Sequence, residues 1–528
     1  MTSWQSGPDA LVAEVVRGVP VRCYAERPHS VVEVLERALE HSSDDVLLID
    51  VAAGTTTTYG AFARLVEGAA QALLERVQPG DRVAVLARNG LEAAVAIWAC
   101  ARAGAVHVGI PVESPPDRVA ALLELTGAAL LLVQPSLLAS VPPTGLPVED
   151  AAEVLLGREI VWQQGRALPD QDATYSLIPT SGTTGVPKAV MVTGRMSGHA
   201  AAFYVRALGL TARDRTAIHL PFAWVSGHVT QLTPAMLSGG SAVTMASFSA
   251  AQLCAVAAEH GVTWIDVVPS IWELLLRTEH FALPALAGVR LAVYGGAPAP
   301  PGTLDRVRAR MPQLRMVDVY ALSETCAPVT CLPDVDALRK PGSVGAPVPY
   351  ADVRLVDPDG QDVRRGEAGE VWVRSPTVTP GYWGATAPLT QDGWLRTGDL
   401  GRMDAEGYLS VGGRVVDLII RGGVNVYPAE VERALLATGL LADAVAVGVP
   451  SPVTGHNVGA AVVARPGREV DLHVLQQAVR AALGTHAVPR PLRLVEALPR
   501  NANGKVDREA TLLLLDRGAQ TDSDIDLV

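Results

Sequence analysis

The stretch Thr180-Ser181-Gly182-Thr183-Thr184-Gly185-Val186-Pro187-Lys188 decides how this chain is read, because it gathers small residues and one cation where a hydrophobic core has no use for them. Two glycines permit a tight turn that exposes backbone N–H groups, four hydroxyls add donors, and Lys188 supplies a compact positive charge. Together they make a loop suited to holding phosphate. The apolar runs 175–179 before it and 189–192 after it predict two strands joined by the loop. A Walker A loop is excluded, since that motif needs Gly-Lys-Ser/Thr leading into a helix and here Pro187 precedes the lysine.

Lysine usage points the same way. The only lysines are Lys188, Lys340 and Lys505, among 43 cationic residues. A chain that writes nearly every cation as arginine keeps lysine where a compact ammonium is needed and a guanidinium fork does not fit.

With 528 residues, 49% of them hydrophobic, the chain is long enough for at least two domains with substantial cores. A net charge of -12 argues against a general nucleic-acid binder, which needs a basic stripe. Cys23, Cys100, Cys254, Cys326 and Cys331 are odd in number and lack Cys-x-x-Cys spacing, so neither a disulfide framework nor a zinc site is expected, and a reducing cytoplasm fits. No basic start followed by an apolar run marks a signal peptide, and Arg102 and Glu124 interrupt the most apolar regions, so no membrane span is expected.

From Leu47 to Val133 strand-like runs (82–86, 106–111, 129–133) alternate with helical ones (90–103 and from Asp117), the pattern of an α/β layer. Residues 142–172 show no clear periodicity and read as loop and connecting hairpin. Strands are again expected at 216–220, 242–245, 264–268, 290–294 and 315–319. Open α/β sheets bind ligands beyond the carboxyl ends of their strands, and Tyr294-Gly295-Gly296-Ala297-Pro298 and Tyr320-Ala321-Leu322-Ser323-Glu324 sit at such ends. Beyond residue 340, runs at 353–357 and 370–374 suggest a small antiparallel β unit, followed by Thr397-Gly398-Asp399. After Gly412-Gly413-Arg414 comes a compact segment with a helix at 428–436, strands at 444–449 and 458–463, and a helix at 471–483. The acidic end is read as disordered.

Taken together and in order, the motifs 180–188, 295–298, 320–324, 397–399, 413–432 and 498–505 resemble the adenylate-forming superfamily, which joins acyl-CoA ligases, adenylation domains of nonribosomal peptide synthetases and beetle luciferases. The resemblance covers nearly the whole chain. It implies an α/β fold: a large N-terminal AMP-binding domain (1–412) made of two α/β subdomains (about 1–170 and 171–338) and a small β-barrel (about 339–412), then a mobile α+β lid (413–515) and a tail (516–528). It also implies a reaction. ATP and a carboxylate give acyl-AMP and pyrophosphate, and a thiol then displaces AMP. Attaching AMP gives a poor electrophile a good leaving group, and positive charge must meet the phosphates.

By the same resemblance Glu324, with Thr183, looks like the Mg²⁺ ligand, and magnesium prefers few carboxylates plus phosphate oxygens. Thr180 to Gly185 and Lys188 are similar to the family's phosphate loop. Tyr320 and Ser323 look like the adenine-side residues, with Gly295, Gly296, Ala297 and Pro298 as the backbone wall opposite. Asp399 resembles the carboxylate that accepts the ribose hydroxyls, and Arg414 a second ribose contact. Lys505 resembles the mobile lysine that bridges the carboxylate and the α-phosphate. Gly423 resembles the glycine lining the CoA tunnel.

The segment Phe222-Ala223-Trp224-Val225-Ser226-Gly227 resembles the acyl pocket. Amino-acid-activating relatives keep an aspartate where this chain has Ala223, and a buried ammonium without a partner is costly. The expectation is therefore an aryl, alicyclic or fatty acid without an α-amino group. Trp224 is open to a second reading as core packing, and His228 is expected to be structural. Ala189, Gly194, Ala321 and Val416 depart from the family pattern, and an added methyl at 189 or an altered hinge at 416 bears on whether both half-reactions are efficient. The leading reading is an acyl-CoA ligase using ATP, Mg²⁺ and CoA. The alternative is an enzyme that loads a carrier protein's phosphopantetheine; a luciferase-like oxygenase and a ligand-binding pseudoenzyme are the minor readings.

Overall fold

The computed structural model describes residues 11–181, 187–282, 286–297, 299, 302–421, 424–451, 453–500 and 506–516, apart from the side chains of Ser181, Val416 and Asn425. The chain divides into two compact units: Met1–Pro298, Asp305–Val353 and Val373–Arg396 form one, and Ala299–Leu304, Arg354–Trp372 and Thr397–Val528 the other.

The first unit holds two large sheets. One has six strands in the order Pro187–Thr193, Thr174–Ser181, Val106–Gly109, Arg82–Leu86, Leu130–Val133, Val148–Asp150. The other has nine, in the order Ala346–Pro347, Thr330–Leu332, Arg315–Tyr320, Leu291–Gly295, Trp264–Val267, Arg215–Ile218, Ser241–Thr244, Val46–Asp50, Thr55–Thr58. Its central strands are parallel and buried, as expected where helices cover both faces.

The strand pairing does not follow sequence order on either side of residue 170. The chain crosses between sheets: the hairpin 46–58 adds to the second sheet, Leu48 opposite Ala242, while 174–193 completes the first, Ser176 opposite His107. Leu47 and Leu48 are buried in that second sheet, so the register is held by packing that sequence order does not reveal.

Helices and strands of the alternating regions fall within two residues of their expected ends, for example Leu91–Ala103 and Arg82–Leu86, and the strands expected at 444–449 and 458–463 each begin three residues earlier, as Leu441–Ser451 and Gly455–Ala464. Residues 142–172 are a correction. They contain a strand at Val148–Asp150 and a helix at Ala151–Leu156, capped by Asp150 accepting from Ala152 N at 2.8 Å. Both are too short to show a period in sequence.

The second unit contains the strand pair Leu395–Met403 and Leu409–Arg414, antiparallel. It also holds a five-stranded sheet built on the long antiparallel pair Leu441–Ser451 and Gly455–Ala464. Val431, Leu435, Leu475 and Val479, from helices Pro428–Leu436 and Leu472–Leu483, close its core against Val458, Ala460 and Val462. The division by compactness falls at Arg396/Thr397, ahead of the expected hinge near 413; where the chain is compact and where it pivots are separate questions.

Candidate active site

Strands Thr174–Ser181 and Pro187–Thr193 form an antiparallel hairpin, with Thr180 opposite Lys188 and Ser181 opposite Pro187. The loop expected to hold phosphate therefore joins two strands. Gly182, Thr183, Thr184 and Gly185 lie outside the described residues, as do Pro298, Gly423 and Lys505. Thr180 is half-buried at the hairpin mouth and the Lys188 side chain is exposed.

Glu324 follows the end of strand Arg315–Tyr320. Its turn is fixed by the Thr325 hydroxyl, which donates to Leu322 O and accepts from Leu322 N at 3.0 Å, and its own carbonyl accepts from Thr379 N at 2.7 Å. Tyr382, which the sequence reading passed over, joins this carboxylate to the hairpin. Its hydroxyl donates to Glu324 Oε1 at 2.7 Å, and its ring lies under the Lys188 ammonium, 4.9 Å from Nζ to the centroid. A Gly-Tyr-Trp run after a proline offered only a turn signal, so nothing in its residue types announced the contact.

The parallel strands Arg215–Ile218, Trp264–Val267, Leu291–Gly295 and Arg315–Tyr320 end on one edge, so the segments after them emerge together. Gly295 lies against the neighbouring strand, and a Cβ there would meet Val319 O at 2.3 Å. Gly296 and Ala297 are exposed beyond it, and Tyr320 and Ser323 are half-buried.

In the second unit Asp399 and Arg414 are directly opposed in the antiparallel pair, Arg414 Nε 3.1 Å from Asp399 Oδ1. Asp399 is buried and its N–H donates to Thr397 Oγ1 at 3.0 Å. The pairing register shifts between Leu400 and Gly401, a bulge that re-aims the strand just after the carboxylate. The two residues read as ribose contacts thus share one end of one ladder.

The acyl-side segment is folded back on itself. Trp224 N donates to Pro221 O at 3.0 Å, and Phe222 N to Asn89 Oδ1 at 2.9 Å. One helical turn, Val225–Gly227, carries Ser226 and Gly227 and widens into a π-type turn at His228–Leu232. Side chains satisfy the carbonyls so released: Thr230 Oγ1 and Gln231 Nε2 each donate to Ser226 O at 3.1 Å, and Thr233 Oγ1 donates to His228 O at 2.6 Å. Trp224 is half-buried, whereas Phe222 is buried. Ala223 packs closely on the first sheet: a Cβ built at Gly109 would meet Ala223 Cα at 2.6 Å and His107 Cε1 at 3.3 Å.

Four titratable groups in or beside this segment, His107, His219, His228 and Asp266, are pushed toward their neutral forms. Burial lowers His107 to about 3 and His219 and His228 to about 4. His107 Nδ1 lies 3.0 Å from Ser176 Oγ, and His228 Nδ1 lies 3.0 Å from Phe222 O, the structural role expected of it. Burial also raises Asp266 to about 7. Thr230 Oγ1 lies 3.1 Å from both Asp266 Oδ2 and Ser226 O. Ser226 O also accepts from Gln231 Nε2, which leaves the Thr230 hydroxyl able to donate to Asp266 Oδ2.

Two departures from the family pattern have structural explanations. Ala189 is fully buried in the core of the first sheet, so its methyl is absorbed there and does not crowd the loop. A Cβ at Gly194 would meet His29 O at 2.3 Å, so no histidine fits.

The first unit thus carries the hairpin with Lys188, the Glu324 carboxylate and the strand-end segments after Gly295 and Tyr320, and the second unit carries the paired Asp399 and Arg414. Residues 35–383 match the family model of the AMP-binding enzyme, and residues 430–505 that of the AMP-binding enzyme C-terminal domain. Indoleacetate–CoA ligase of Aromatoleum aromaticum is 30% identical over 478 residues, covering 87% of this chain and 93% of its own. The solved o-succinylbenzoate CoA synthetase of Bacillus subtilis with its acyl-adenylate intermediate is similar at a TM-score of 0.80 and 28% identity, covering 95% of this chain and 99% of that one. The same enzyme with ATP and magnesium ion gives 0.79 and 30%, covering 90% and 98%. The chain belongs to the AMP-binding enzyme family. It is an AMP-forming acid–CoA ligase, which activates a carboxylic acid with ATP as acyl-AMP and transfers the acyl group to the thiol of CoA. Among the described residues no helix is long and apolar enough to cross a membrane.

Proposed function

We propose that this ligase takes an aryl, alicyclic or fatty acid that lacks an α-amino group. The observation that supports the reading is the neutral acyl-side environment: Ala223 takes the position where, by the family resemblance, an ammonium partner would stand, and His107, His219, His228 and Asp266, in or beside the segment it belongs to, are all held toward their uncharged forms. A substrate ammonium would lie there unpaired, at a cost of several kcal/mol. The relatives' substrates fit, indoleacetate and o-succinylbenzoate both being aryl acids.

Within this reading Lys188 and the hairpin loop hold the phosphates, with Tyr320, Ser323 and the 295–298 edge beside the adenine. Asp399 and Arg414 take the ribose. Lys505, on a lid assigned to 413–515, meets the carboxylate and the α-phosphate during adenylation only, and Gly423 lines the thiol's path. Magnesium is assigned to Glu324 and Thr183. The donors fit: among the described residues no cluster of three or more His, Cys, Asp or Glu would hold a metal alone, and a single strand-end carboxylate completed by phosphate oxygens is what magnesium accepts. When bound it neutralises phosphate charge as pyrophosphate leaves. Glu324 would supply an oriented oxygen and Lys188 a cation for the phosphates.

The test is an acid panel incubated with ATP, magnesium and CoA, with AMP ester and CoA thioester followed by mass spectrometry. Thioesters of acids without an amino group are expected. Acyl-AMP that persists with CoA and disappears only with a phosphopantetheinylated carrier protein would replace CoA as acceptor.

A further inference from the structure

We propose that Tyr382 is a positioning residue for adenylation, one side chain that sets the Lys188 ammonium and the Glu324 carboxylate at a fixed separation and orients that carboxylate for the metal. The inference rests on the roles proposed above for Lys188 and Glu324.

The geometry is specific. The phenol hydroxyl donates to Glu324 Oε1 at 2.7 Å while the ring face carries Lys188 Nζ at 4.9 Å. A direct lysine–carboxylate pair would neutralise both charges against each other. The shared tyrosine instead holds the carboxylate by a donor that leaves its negative charge intact and the ammonium by the ring quadrupole, which leaves the N–H donors available to phosphate.

The backbone keeps the ring there. Tyr382 bridges to Val190, Trp383 N donates to Ala189 O at 2.8 Å, and Met191 N donates to Gly381 O at 3.1 Å. Thr379 ties the other side: its N–H donates to Glu324 O and its hydroxyl to Met191 O, both at 2.7 Å. Residues 379–383 therefore link the strand that carries Lys188 to the turn that carries Glu324, and Tyr382 is the member of that link whose side chain reaches both charges. A tyrosine present only to fill space needs neither the hydroxyl contact nor the ring contact, so the two are separable by mutation.

The experiment uses the full chain and calorimetric ATP binding, once with chelator and once across a magnesium titration. Tyr382→Phe keeps the ring and removes the donor. It is expected to leave metal-free ATP affinity within about twofold of wild type while raising the magnesium needed for half-maximal binding about tenfold, the usual cost of losing an outer-shell partner of a metal ligand. Tyr382→Leu, which also removes the ring, is expected to weaken metal-free ATP binding severalfold as well. Both should convert supplied acyl-AMP to thioester at the wild-type rate. A wild-type magnesium dependence in Tyr382→Phe, or equal losses in the two half-reactions, overturns the proposal. The near-isosteric phenylalanine decides the matter even if the leucine variant does not fold. Glu324→Gln separates the layers: if it removes the magnesium response and Tyr382→Phe does not, only this inference fails, and if it too leaves the response unchanged, the assignment of Glu324 fails with it.

Discussion

The hairpin–Glu324 region and the acyl-side segment 219–233 are both polar, yet they treat charge in opposite ways. The first leaves Lys188 exposed and Glu324 half-buried, tied through Tyr382. The second buries three histidines and an aspartate and holds all four toward neutrality. The difference matches the two ends of an acyl adenylate. Phosphates need fixed cations and metal-ready oxygens, whereas a neutral acyl group needs hydrogen-bonded polarity without charge, because any unpaired charge at that end would repel it or demand its own partner.

The largest effect should come from the charged end. Lys505→Ala is expected to lose acyl-AMP formation by on the order of 10² or more, while thioester formation from supplied acyl-AMP persists, since a mobile cation is needed only while the carboxylate attacks; equal losses in both steps, read by single-turnover mass spectrometry, would sink the assignment. Next is Ala223→Asp, which places a carboxylate against Gly109 and His107 in the neutral region. It is expected to raise KM for the native acid about tenfold or more through repulsion or desolvation, and unchanged KM would show that residue 223 does not sense the substrate. Asp399→Ala is expected to raise KM for ATP roughly tenfold with the order of acid preference unchanged; a reordered acid preference would move Asp399 out of the nucleotide site.

The smallest effect sharpens the neutral side. Burial holds Asp266 at about 7, above its ordinary value of 3.8. A carboxyl whose folded value is raised binds its proton more tightly in the fold, so its contribution is most favourable below pH 4 and is lost as pH rises from about 4 to about 7. Asp266→Asn removes that titration. Relative to wild type it should gain a few degrees in melting temperature at pH 8 compared with pH 5, and an identical difference at both pH values would mean Asp266 is ionised in the fold.

What the structure describes of the charged end, the strand-loop-strand placement of Lys188 and the strand-end glutamate, was legible in the sequence because few lysines stand in the chain and the loop is rich in glycine and hydroxyls. Tyr382 was not legible, since an aromatic after a Pro-Gly turn is ordinary and its meaning lies in the Val190 bridge, nearly two hundred residues away in the chain. The neutral end was legible only by what Ala223 lacks. Its positive content, His107 from a different sheet and Asp266 from a different strand meeting around a π-type turn, arises from tertiary packing that no local period encodes. The interleaving of the two sheets escaped for the same reason: the threonine-rich edge strand Thr55–Thr58 carries no mark of the sheet it joins.

A competition between two acids isolates the charge that would set a neutral acyl end apart from the charged nucleotide end of this ligase. 3-Phenylpropanoic acid and phenylalanine share a carbon skeleton and differ by the α-ammonium, so kcat/KM for acyl-AMP formation measured on both isolates that charge. The neutral environment around Ala223 predicts a preference for the acid without the amino group of about 10²-fold or more. Equal efficiencies, or a preference for phenylalanine, would contradict it.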